Sequence, residues 1–428
     1  QAEDGIRDCL LSRGLGDVYK RQNLDYEKGN LTFDNLIIKD ITKEIETPFY
    51  CYSLNHLKDQ YKSLNNAINL QNYEICYAVK SNSNQSIIKN FANMGSGADV
   101  VSIGEMKRAL KADIAPNKIV FSGVGKNSNE IKYALENDIL MFNVESISEL
   151  KKISNEAVAQ SKKAPIAIRI NPDISAGGNE KISTGKAQDK FGISWKDALK
   201  IYEYASSLPG IEIKGIDAHI GSQINQLEPF SHSFDILKQI TNMLRDKGFK
   251  IDVIDVGGGL GVKYSNDEIP LDTEKYGKLL SDKFGNIDCK IIIEPGRFLT
   301  ANAGILVTKI LHIKESDIKN FTIVDAGMND FIRPTLYGAH HEVMTLKEPD
   351  NSQALKYDLV GPVCETGDFF AKDINLKNIN EGDFLVICST GAYGSVQSSN
   401  YNTRASICLL YTSPSPRDKR QSRMPSSA

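Results

Sequence analysis

The sequence predicts an α/β fold class in which a closed (β/α)8 barrel of the TIM type is joined to a second, mainly β domain. Two observations predict the barrel. Eight short apolar runs alternate with amphipathic helical patterns over residues 74–294, and reactive side chains gather just after these runs, where barrel active sites lie. Beyond residue 300 the runs become strand-like with no long helices between them, which predicts the β domain.

The apolar runs are rich in Ile and Val instead of alternating with polar residues, as expected for parallel strands buried on both faces. They cover residues 74–79, 98–101, 119–122, 140–144, 166–170, 213–219, 251–256 and 290–294. Amphipathic stretches between them include 103–111, 146–161, 194–207 and 230–247. An open, doubly wound sheet would show the same alternation, but the polar groups at the ends of the runs favour the barrel.

These patterns assign residues 56–299 to the barrel and residues 300–407 to the β domain. The β domain has strand-like runs at 305–313, 321–325, 357–360 and 384–388. The N-terminal segment 23–55 adds predicted strands at 32–41 and 49–52, so that the barrel is inserted between two parts of the β domain.

Both ends of the chain are predicted to lie outside the native protein. Residues 17–22 and 408–413 can be translated from the two orientations of one DNA sequence, which resembles a transposase-type sequencing adapter. We therefore expect 1–22 and 408–428 to be adapter-derived tails that take no part in the native fold. The last strand of the β domain is then expected to be truncated at about Ile407.

Composition excludes several classes of protein. Hydrophobic residues make up 41% and charged residues 25%, the ordinary globular mixture. The balance of 51 basic against 54 acidic residues argues against a nucleic-acid partner. No apolar run approaches the roughly 20 residues of a membrane helix, and the cysteines lack the spacing of a zinc site or disulfide framework. We expect a cytoplasmic protein with no metal and no membrane partner.

Lys80 and a run of three glycines stand at strand ends. Most lysines after a strand reach solvent, but desolvation in a barrel mouth would lower the pKa of Lys80, so that its neutral amine attacks an aldehyde. Gly257, Gly258 and Gly259 follow the seventh run, where backbone N–H groups can approach a phosphate closely. The dinucleotide pattern G-x-G-x-x-G is not matched, which favours a phosphate monoester.

Three further residues allow two interpretations each. His219 is either a core histidine or a ring lying flat on a ligand. Glu294 either forms an internal salt bridge with Arg297 or keeps the nitrogen of a heteroaromatic ligand protonated. Cys364 is either an inert thiol or an acid–base residue.

Seven motifs in this order resemble the diaminopimelate decarboxylase family, a pyridoxal-phosphate-dependent group with an alanine-racemase-like fold. They are Tyr77–Lys80, His219–Ser222, Gly257–Gly259, Glu294–Arg297, Met328–Tyr337, Cys364–Asp368 and Gly391–Gly394. The resemblance covers about residues 23–404, and Thr366 stands where the family more usually has Ser.

The resemblance implies a role for each site residue. Lys80 would hold pyridoxal 5'-phosphate as a Schiff base, His219 would stack on its ring and Glu294 would pair with the ring nitrogen. The implied phosphate-binding groups are Ser222, Gly257, Gly258, Gly259, Arg297 and Tyr393, and Gly296 is a further cofactor-binding residue. Cys364 would donate a proton to the carbanion, which makes Lys80, His219 and Cys364 the catalytic set. The implied substrate-binding groups are Arg297, Arg333, Tyr337, Glu365 and Tyr393.

The implied reaction converts meso-diaminopimelate to L-lysine and CO2, the last step of lysine biosynthesis. The resemblance also implies a homodimer in which Cys364 and Glu365 complete the site of the other subunit. Two alternatives stay open: decarboxylation of carboxynorspermidine or another basic amino acid, and a non-catalytic protein that only binds pyridoxal phosphate. Whether Arg297 serves the substrate or the phosphate is also open.

Overall fold

The computed structural model describes residues 23–412 except 176, 178, 179, 183, 187 and 266. The predicted tail 1–22 and residues 413–428 of the second tail lie outside the described residues. Within the described part of the chain, no helix is long and apolar enough to cross a membrane.

The N-terminal segment begins with a small antiparallel sheet and then contributes a strand to the β domain. Its elements are β1 (Leu24–Glu27), β2 (Asn30–Phe33), β3 (Leu36–Ile37), α1 (Ile38–Glu44) and β4 (Phe49–Ser53). The strand predicted over 32–41 is therefore wrong from Ile38 onward. Ile38, Ile41 and Ile45 are spaced three and four apart, which puts them on one face of a helix, and Ile38 is buried there.

The next part of the chain forms a closed barrel of eight parallel strands. In chain order they are β5 (Tyr73–Ala78), β6 (Gly97–Val100), β7 (Ile119–Phe121), β8 (Met141–Val144), β9 (Ala164–Asn171), β11 (Ile211–Asp217), β12 (Val253–Asp255) and β13 (Lys290–Ile293). Strand β13 pairs with β5 and β8 pairs with β9, which closes the ring. The short β10 (Ile193–Ser194) pairs with β9 beside it. All eight predicted strands are confirmed, and the open doubly wound sheet is wrong.

Helices follow the strands around the barrel. They are α2 (Leu54–Ala67), α3 (Gln85–Asn93), α4 (Ile103–Lys111), α5 (Ser128–Glu136), α6 (Ile147–Ala159), α7 (Ala198–Ser206), α8 (Leu227–Asp246), α9 (Thr273–Phe284) and the short α10 (Arg297–Thr300). Side chains of Ser102, Asn127, Ser146 and Asp272 cap four of them by accepting a backbone N–H of the first turn. Single 3₁₀ turns occur at Val79–Ser81, Pro116–Lys118, Glu180–Ile182, Trp195–Asp197, Ala301–Ala303, Ser395–Gln397 and Tyr401–Thr403.

The remainder of the chain is mainly β, as predicted. Its elements are β14 (Gly304–Lys314), β15 (Asn320–Val324), α11 (Arg333–Tyr337), β16 (Val343–Thr345), β17 (Leu355–Val360), β18 (Phe369–Leu376), β19 (Phe384–Ile387) and β20 (Cys408–Thr412). The sheet order is β16-β19-β14-β15-β17-β18, and β4 pairs with β14. The barrel is thus inserted between two parts of one β domain.

Strand β20 begins directly after Ile407, where the sequence predicts a truncated strand. Its residues pair in parallel with β4. The hydroxyl of Thr412 donates to the carboxylate of Asp34 over 2.6 Å, and Ser86 donates to the hydroxyl of Tyr411 over 2.9 Å. The β domain therefore extends through Thr412, beyond the predicted boundary. That this segment was translated from an adapter stays a prediction.

Candidate active site

The polar centre of the barrel follows from the alternation of side chains along its strands. Apolar residues of six strands form a buried cluster of their own, which includes Val120, Met141, Ala167, Val253 and Ile292. In five of these strands the side chain two residues further on, and so on the same face of the strand, is polar. These polar residues are Ser122, Asn143, Arg169, Asp255 and Glu294. A polar layer therefore lies above an apolar layer, toward the carboxyl ends of the strands.

Lys80 lies in the 3₁₀ turn that follows β5 and is paired with a buried acid. Its Nζ donates to Oδ2 of Asp99 over 2.6 Å, with 34% of the Lys80 side chain exposed. Burial lowers the pKa of Lys80, but the carboxylates of Asp99 and Glu294 outweigh it and the pKa is raised. The expected lowering of this pKa is therefore wrong, because an acidic neighbour stabilises the ammonium form.

Buried carboxyl groups outnumber cations around Lys80. Burial raises the pKa of Glu294 well above its usual value, and the nearby carboxyls of Asp255 and Asp99 raise it further. Burial also raises the pKa of Asp255, to about 6. The four carboxyl groups of this cluster are Asp99, Asp217, Asp255 and Glu294. Such a cluster favours a cationic group, and a protonated nitrogen heterocycle against Glu294 would meet this requirement.

Glu294 is tied to the glycine loop through buried hydrogen bonds. Ser122 donates to Oε1 of Glu294 over 3.5 Å, and Asn143 donates to both Ser122 and Asp255 over 3.2 and 3.1 Å. The other oxygen of Asp255 accepts the N–H of Gly257 over 3.0 Å. A chain of hydrogen bonds therefore links the carboxyl group of Glu294 to the backbone of the glycine loop.

The glycine loop requires glycine, and it orients His219. Gly257 and Gly259 have φ of 66° and 100°, and a Cβ on Gly258 would lie 2.1 Å from the carbonyl oxygen of Glu294. The N–H of Gly258 donates to Nδ1 of His219 over 3.0 Å, so the ring carries its proton on Nε2. Burial, then Arg169 and Lys80, lower the pKa of His219 well below its usual value. A neutral ring of this kind can stack on an aromatic cofactor.

The buried guanidinium of Arg297 is held by two hydroxyl groups. Its Nε and Nη2 donate to Oγ of Ser222 over 3.2 and 3.1 Å, and Nη1 donates to the hydroxyl of Tyr264 over 2.6 Å. The guanidinium lies 4.9 Å from the ring centroid of Tyr393. The N–H of Tyr393 donates to the carbonyl of Ser81, the residue after Lys80, over 2.8 Å. Arg297 is therefore close to the Lys80 turn.

A second buried guanidinium belongs to Arg333, at the start of α11. Its Nε donates to Nε2 of His341 over 3.3 Å, and Nη2 donates to the hydroxyl of Tyr264 over 3.4 Å. The ring of Tyr337 lies 5.8 Å from the guanidinium. Arg297 and Arg333 are only 5% and 6% exposed, and neither has an ion pair with a described residue. Two adjacent buried cations without carboxylate partners are suited to bind an anionic ligand group.

Cys364 and Glu365 lie elsewhere on the same chain. Both are exposed, on a loop in which Asp368 accepts the N–H groups of Met328 and Val363 over 2.6 and 2.7 Å. The hydroxyl of Tyr401 donates to Glu365. Among the described residues, no hydrogen bond or ion pair joins this loop to Lys80 or Glu294. The loop is instead joined to α11, where the hydroxyl of Thr335 donates to the carbonyl oxygen of Gly367 over 2.5 Å.

Several residues of this site were not predicted from the sequence. Asp99 and Asp255 lie within the second and seventh apolar runs. Glu294 was identified as a polar residue at the end of such a run, and the same criterion would have identified both aspartates. Tyr264 and His341 are in irregular segments, far apart in the chain, and no pattern in the sequence marks them. Only the folded structure shows that they contact Arg333.

Comparisons with known proteins agree with this geometry. The sequence model of the pyridoxal-dependent decarboxylase pyridoxal-binding domain matches residues 54–301. Diaminopimelate decarboxylase of Vibrio cholerae is 45% identical over 382 residues, which cover 89% of this chain and 91% of the relative. Diaminopimelate decarboxylase of Helicobacter pylori in complex with L-lysine has a TM-score of 0.84 at 42% identity, covering 88% of this chain and 94% of that one. The M. jannaschii enzyme with L-lysine has a TM-score of 0.86 at 32% identity, covering 91% and 93%.

The fold and site define a barrel that binds pyridoxal phosphate. A strand-end lysine, a neutral histidine, a glycine loop and a buried glutamate fit the aldehyde, ring, phosphate and ring nitrogen of that cofactor. The chain belongs to the diaminopimelate decarboxylase family of pyridoxal-dependent decarboxylases.

Proposed function

We propose that this chain decarboxylates meso-diaminopimelate to give L-lysine and CO2. The observation that carries the proposal is the pair of buried guanidiniums of Arg297 and Arg333, neither of which forms an ion pair with a described residue. Diaminopimelate has a second carboxylate at its far end, and a guanidinium can bind a carboxylate through two parallel hydrogen bonds. Ornithine and arginine end in a bare cation, which these guanidiniums would repel.

Different residues of the barrel would bind the cofactor and hold protons. When bound, pyridoxal phosphate supplies an electron sink for the charge left behind by departing CO2. Asp99 accepts a hydrogen bond from Nζ of Lys80 over 2.6 Å and holds the side chain, as its ammonium form, at the end of the strand where the cofactor aldehyde would lie. Glu294 would hold a proton on the ring nitrogen, and His219 would lie against the ring face. Gly257, Gly258, Gly259, Gly296, Ser222 and Tyr393 would surround the phosphate.

The substrate end of the site is assigned to groups at the mouth of the barrel. Arg333 would bind the distal carboxylate, with Tyr337 and Tyr393 beside it. Arg297 donates to Ser222 on one side and Tyr264 on the other, so its position is compatible with either the phosphate or the substrate. The barrel over 56–299 would thus hold the cofactor, while the β domain would add the groups that select the substrate.

We further propose a homodimer with shared sites. Cys364 is exposed, and among the described residues no hydrogen bond or ion pair joins its loop to Lys80, which supports a role in the pocket of another subunit. There Cys364 would donate a proton to the α-carbon after CO2 leaves, and Glu365 would bind the distal ammonium. A two-fold interface would build two equivalent composite sites.

The dimer is tested by subunit complementation. Lys80→Ala and Cys364→Ala proteins should each be nearly inactive alone and regain about a quarter of wild-type activity after mixing, since random pairing leaves one intact site in each mixed dimer. A Lys80→Ala, Cys364→Ala double variant mixed with inactive Lys80→Ala protein is the control and should recover nothing. If subunit exchange is demonstrated but activity does not return, each site is built within one chain.

The reaction itself is tested by measuring CO2 release from meso-diaminopimelate, ornithine, arginine and carboxynorspermidine, with L-lysine as the expected product of the first. Preference for another substrate would favour the alternative decarboxylases. Release from none, with the cofactor bound, would favour a non-catalytic homologue. A cytoplasmic location stays a prediction.

A further inference from the structure

The hydroxyl of Tyr264 lies between the two buried guanidiniums of the site. It accepts from Nη1 of Arg297 over 2.6 Å and from Nη2 of Arg333 over 3.4 Å. The ring is also within cation–π range of both, at 5.9 and 5.5 Å from ring centroid to guanidinium carbon. Because Tyr264 is only 6% exposed, these contacts are made with little competition from water.

His341 fixes the other edge of Arg333. Its Nδ1 lies 2.9 Å from the carbonyl oxygen of Cys388, which can only accept, so Nδ1 carries the proton. Nε2 is then the acceptor for Nε of Arg333. Burial and the charge of Arg333 lower the pKa of His341 well below its usual value, which keeps this ring neutral.

The two aromatic rings support each other as well as the arginine. The rings of Tyr264 and His341 meet edge to face with their centroids 5.2 Å apart, and the rings of Phe331 and His341 do so at 4.7 Å. Tyr264 and His341 thus engage Nη2 and Nε of Arg333, while Nη1 donates to no described residue. A guanidinium held in this way keeps a fixed orientation and retains N–H groups for an incoming carboxylate.

We propose that Tyr264 and His341 are positioning residues that orient Arg333 and thereby set the preference for amino acids with a distal carboxylate. The inference rests on the proposed function, since it assigns Arg333 to the far end of the substrate. Neither residue needs to touch the reacting atoms. Their effect is on the geometry and charge of the guanidinium that selects the substrate.

Tyr264→Phe removes the bridging hydroxyl and keeps the ring. We expect KM for meso-diaminopimelate to rise roughly tenfold, within the range for losing a hydrogen bond to a charged group, with kcat changed less than about twofold. The ratio of kcat/KM between meso-diaminopimelate and ornithine should fall, while the absorption of the bound cofactor stays unchanged. Tyr276→Phe is a matched control, because Tyr276 is fully buried and its hydroxyl has no partner among the described residues. It should leave both constants unaltered.

The pH profile gives a readout that simple loss of packing would not change. Burial raises the pKa of Tyr264, but Arg297 and Arg333 outweigh it and the pKa is lowered. As pH rises through the pKa of Tyr264, its phenolate forms, and the negative charge offsets part of the positive charge of the two guanidiniums. The KM of the wild type for meso-diaminopimelate should therefore rise at alkaline pH. Tyr264→Phe should lack this rise. The charged and titratable groups around the phenol are Arg297, Arg333, His341, Glu268, Tyr337 and Tyr393.

Two variants of His341 complete the test. His341→Leu should raise KM, and His341→Gln should restore part of the loss, since its amide oxygen can accept from Nε of Arg333. Binding of meso-diaminopimelate is followed by the change in cofactor absorption, with or without CO2 release. If the wild type released no CO2, the proposed function would be overturned, but the positioning role could still be tested by binding. Unchanged binding, KM and pH profile in Tyr264→Phe, or loss of the cofactor, would overturn the positioning role.

Discussion

Replacement of Arg333 by Ala tests the substrate end of the pocket most directly. The side chain is 6% exposed, and its hydrogen-bond partners among the described residues are the uncharged His341 and Tyr264. Its charge therefore has no carboxylate partner among the described residues until a substrate arrives. Losing a buried, charge-assisted contact costs about 2 to 4 kcal/mol, which corresponds to a loss of roughly 30- to 1000-fold in kcat/KM for meso-diaminopimelate.

The assay compares substrates as well as variants. Steady-state CO2 release is measured for meso-diaminopimelate and for ornithine, which lacks the second carboxylate, and the Arg333→Ala effect should be confined to the first. Arg333→Lys keeps the charge without the planar fork and should fall between the wild type and Arg333→Ala. Cofactor absorption should be the same in all three proteins. The reasoning is refuted if Arg333→Ala loses pyridoxal phosphate while KM for meso-diaminopimelate is unchanged.

Three further predictions concern the cofactor site. Lys80→Ala should abolish the visible absorption of the holoenzyme, and a borohydride-reducible adduct in that variant would contradict the assignment. Gly258→Ala should lower cofactor affinity and cost about 1 to 3 kcal/mol of unfolding free energy, because its Cβ would lie 2.1 Å from a carbonyl oxygen; Gly125→Ala, whose Cβ would meet nothing within 4 Å, is the control. Asp255, with its pKa raised to about 6, keeps a proton in the folded apoprotein that the unfolded chain releases near pH 4. Its contribution to stability should therefore fall as pH rises from about 4 to 6, and denaturant titrations should show that this fall is absent in Asp255→Asn.

The barrel and most of its cofactor groups were determined by local patterns in the sequence. Buried parallel strands are short apolar runs, and a closed barrel brings the carboxyl ends of all its strands to one mouth. Any polar residue at the end of such a run is therefore close to the others, whatever lies between them in the chain. This is why Lys80, His219, Gly257 and Glu294 could be assigned to one site before the structure was known.

The charge state of Lys80 and the orientation of Arg333 were decided only by tertiary structure. Asp99 is 19 residues from Lys80 and reaches Nζ through strand pairing, and its carboxylate reverses the direction in which burial alone would move the pKa. Tyr264 and His341 are 69 and 8 residues from Arg333, in segments without regular spacing. The contacts of Tyr264 and His341 leave no periodic signal in the sequence, because the two residues lie in segments that repeat with the period of neither a strand nor a helix.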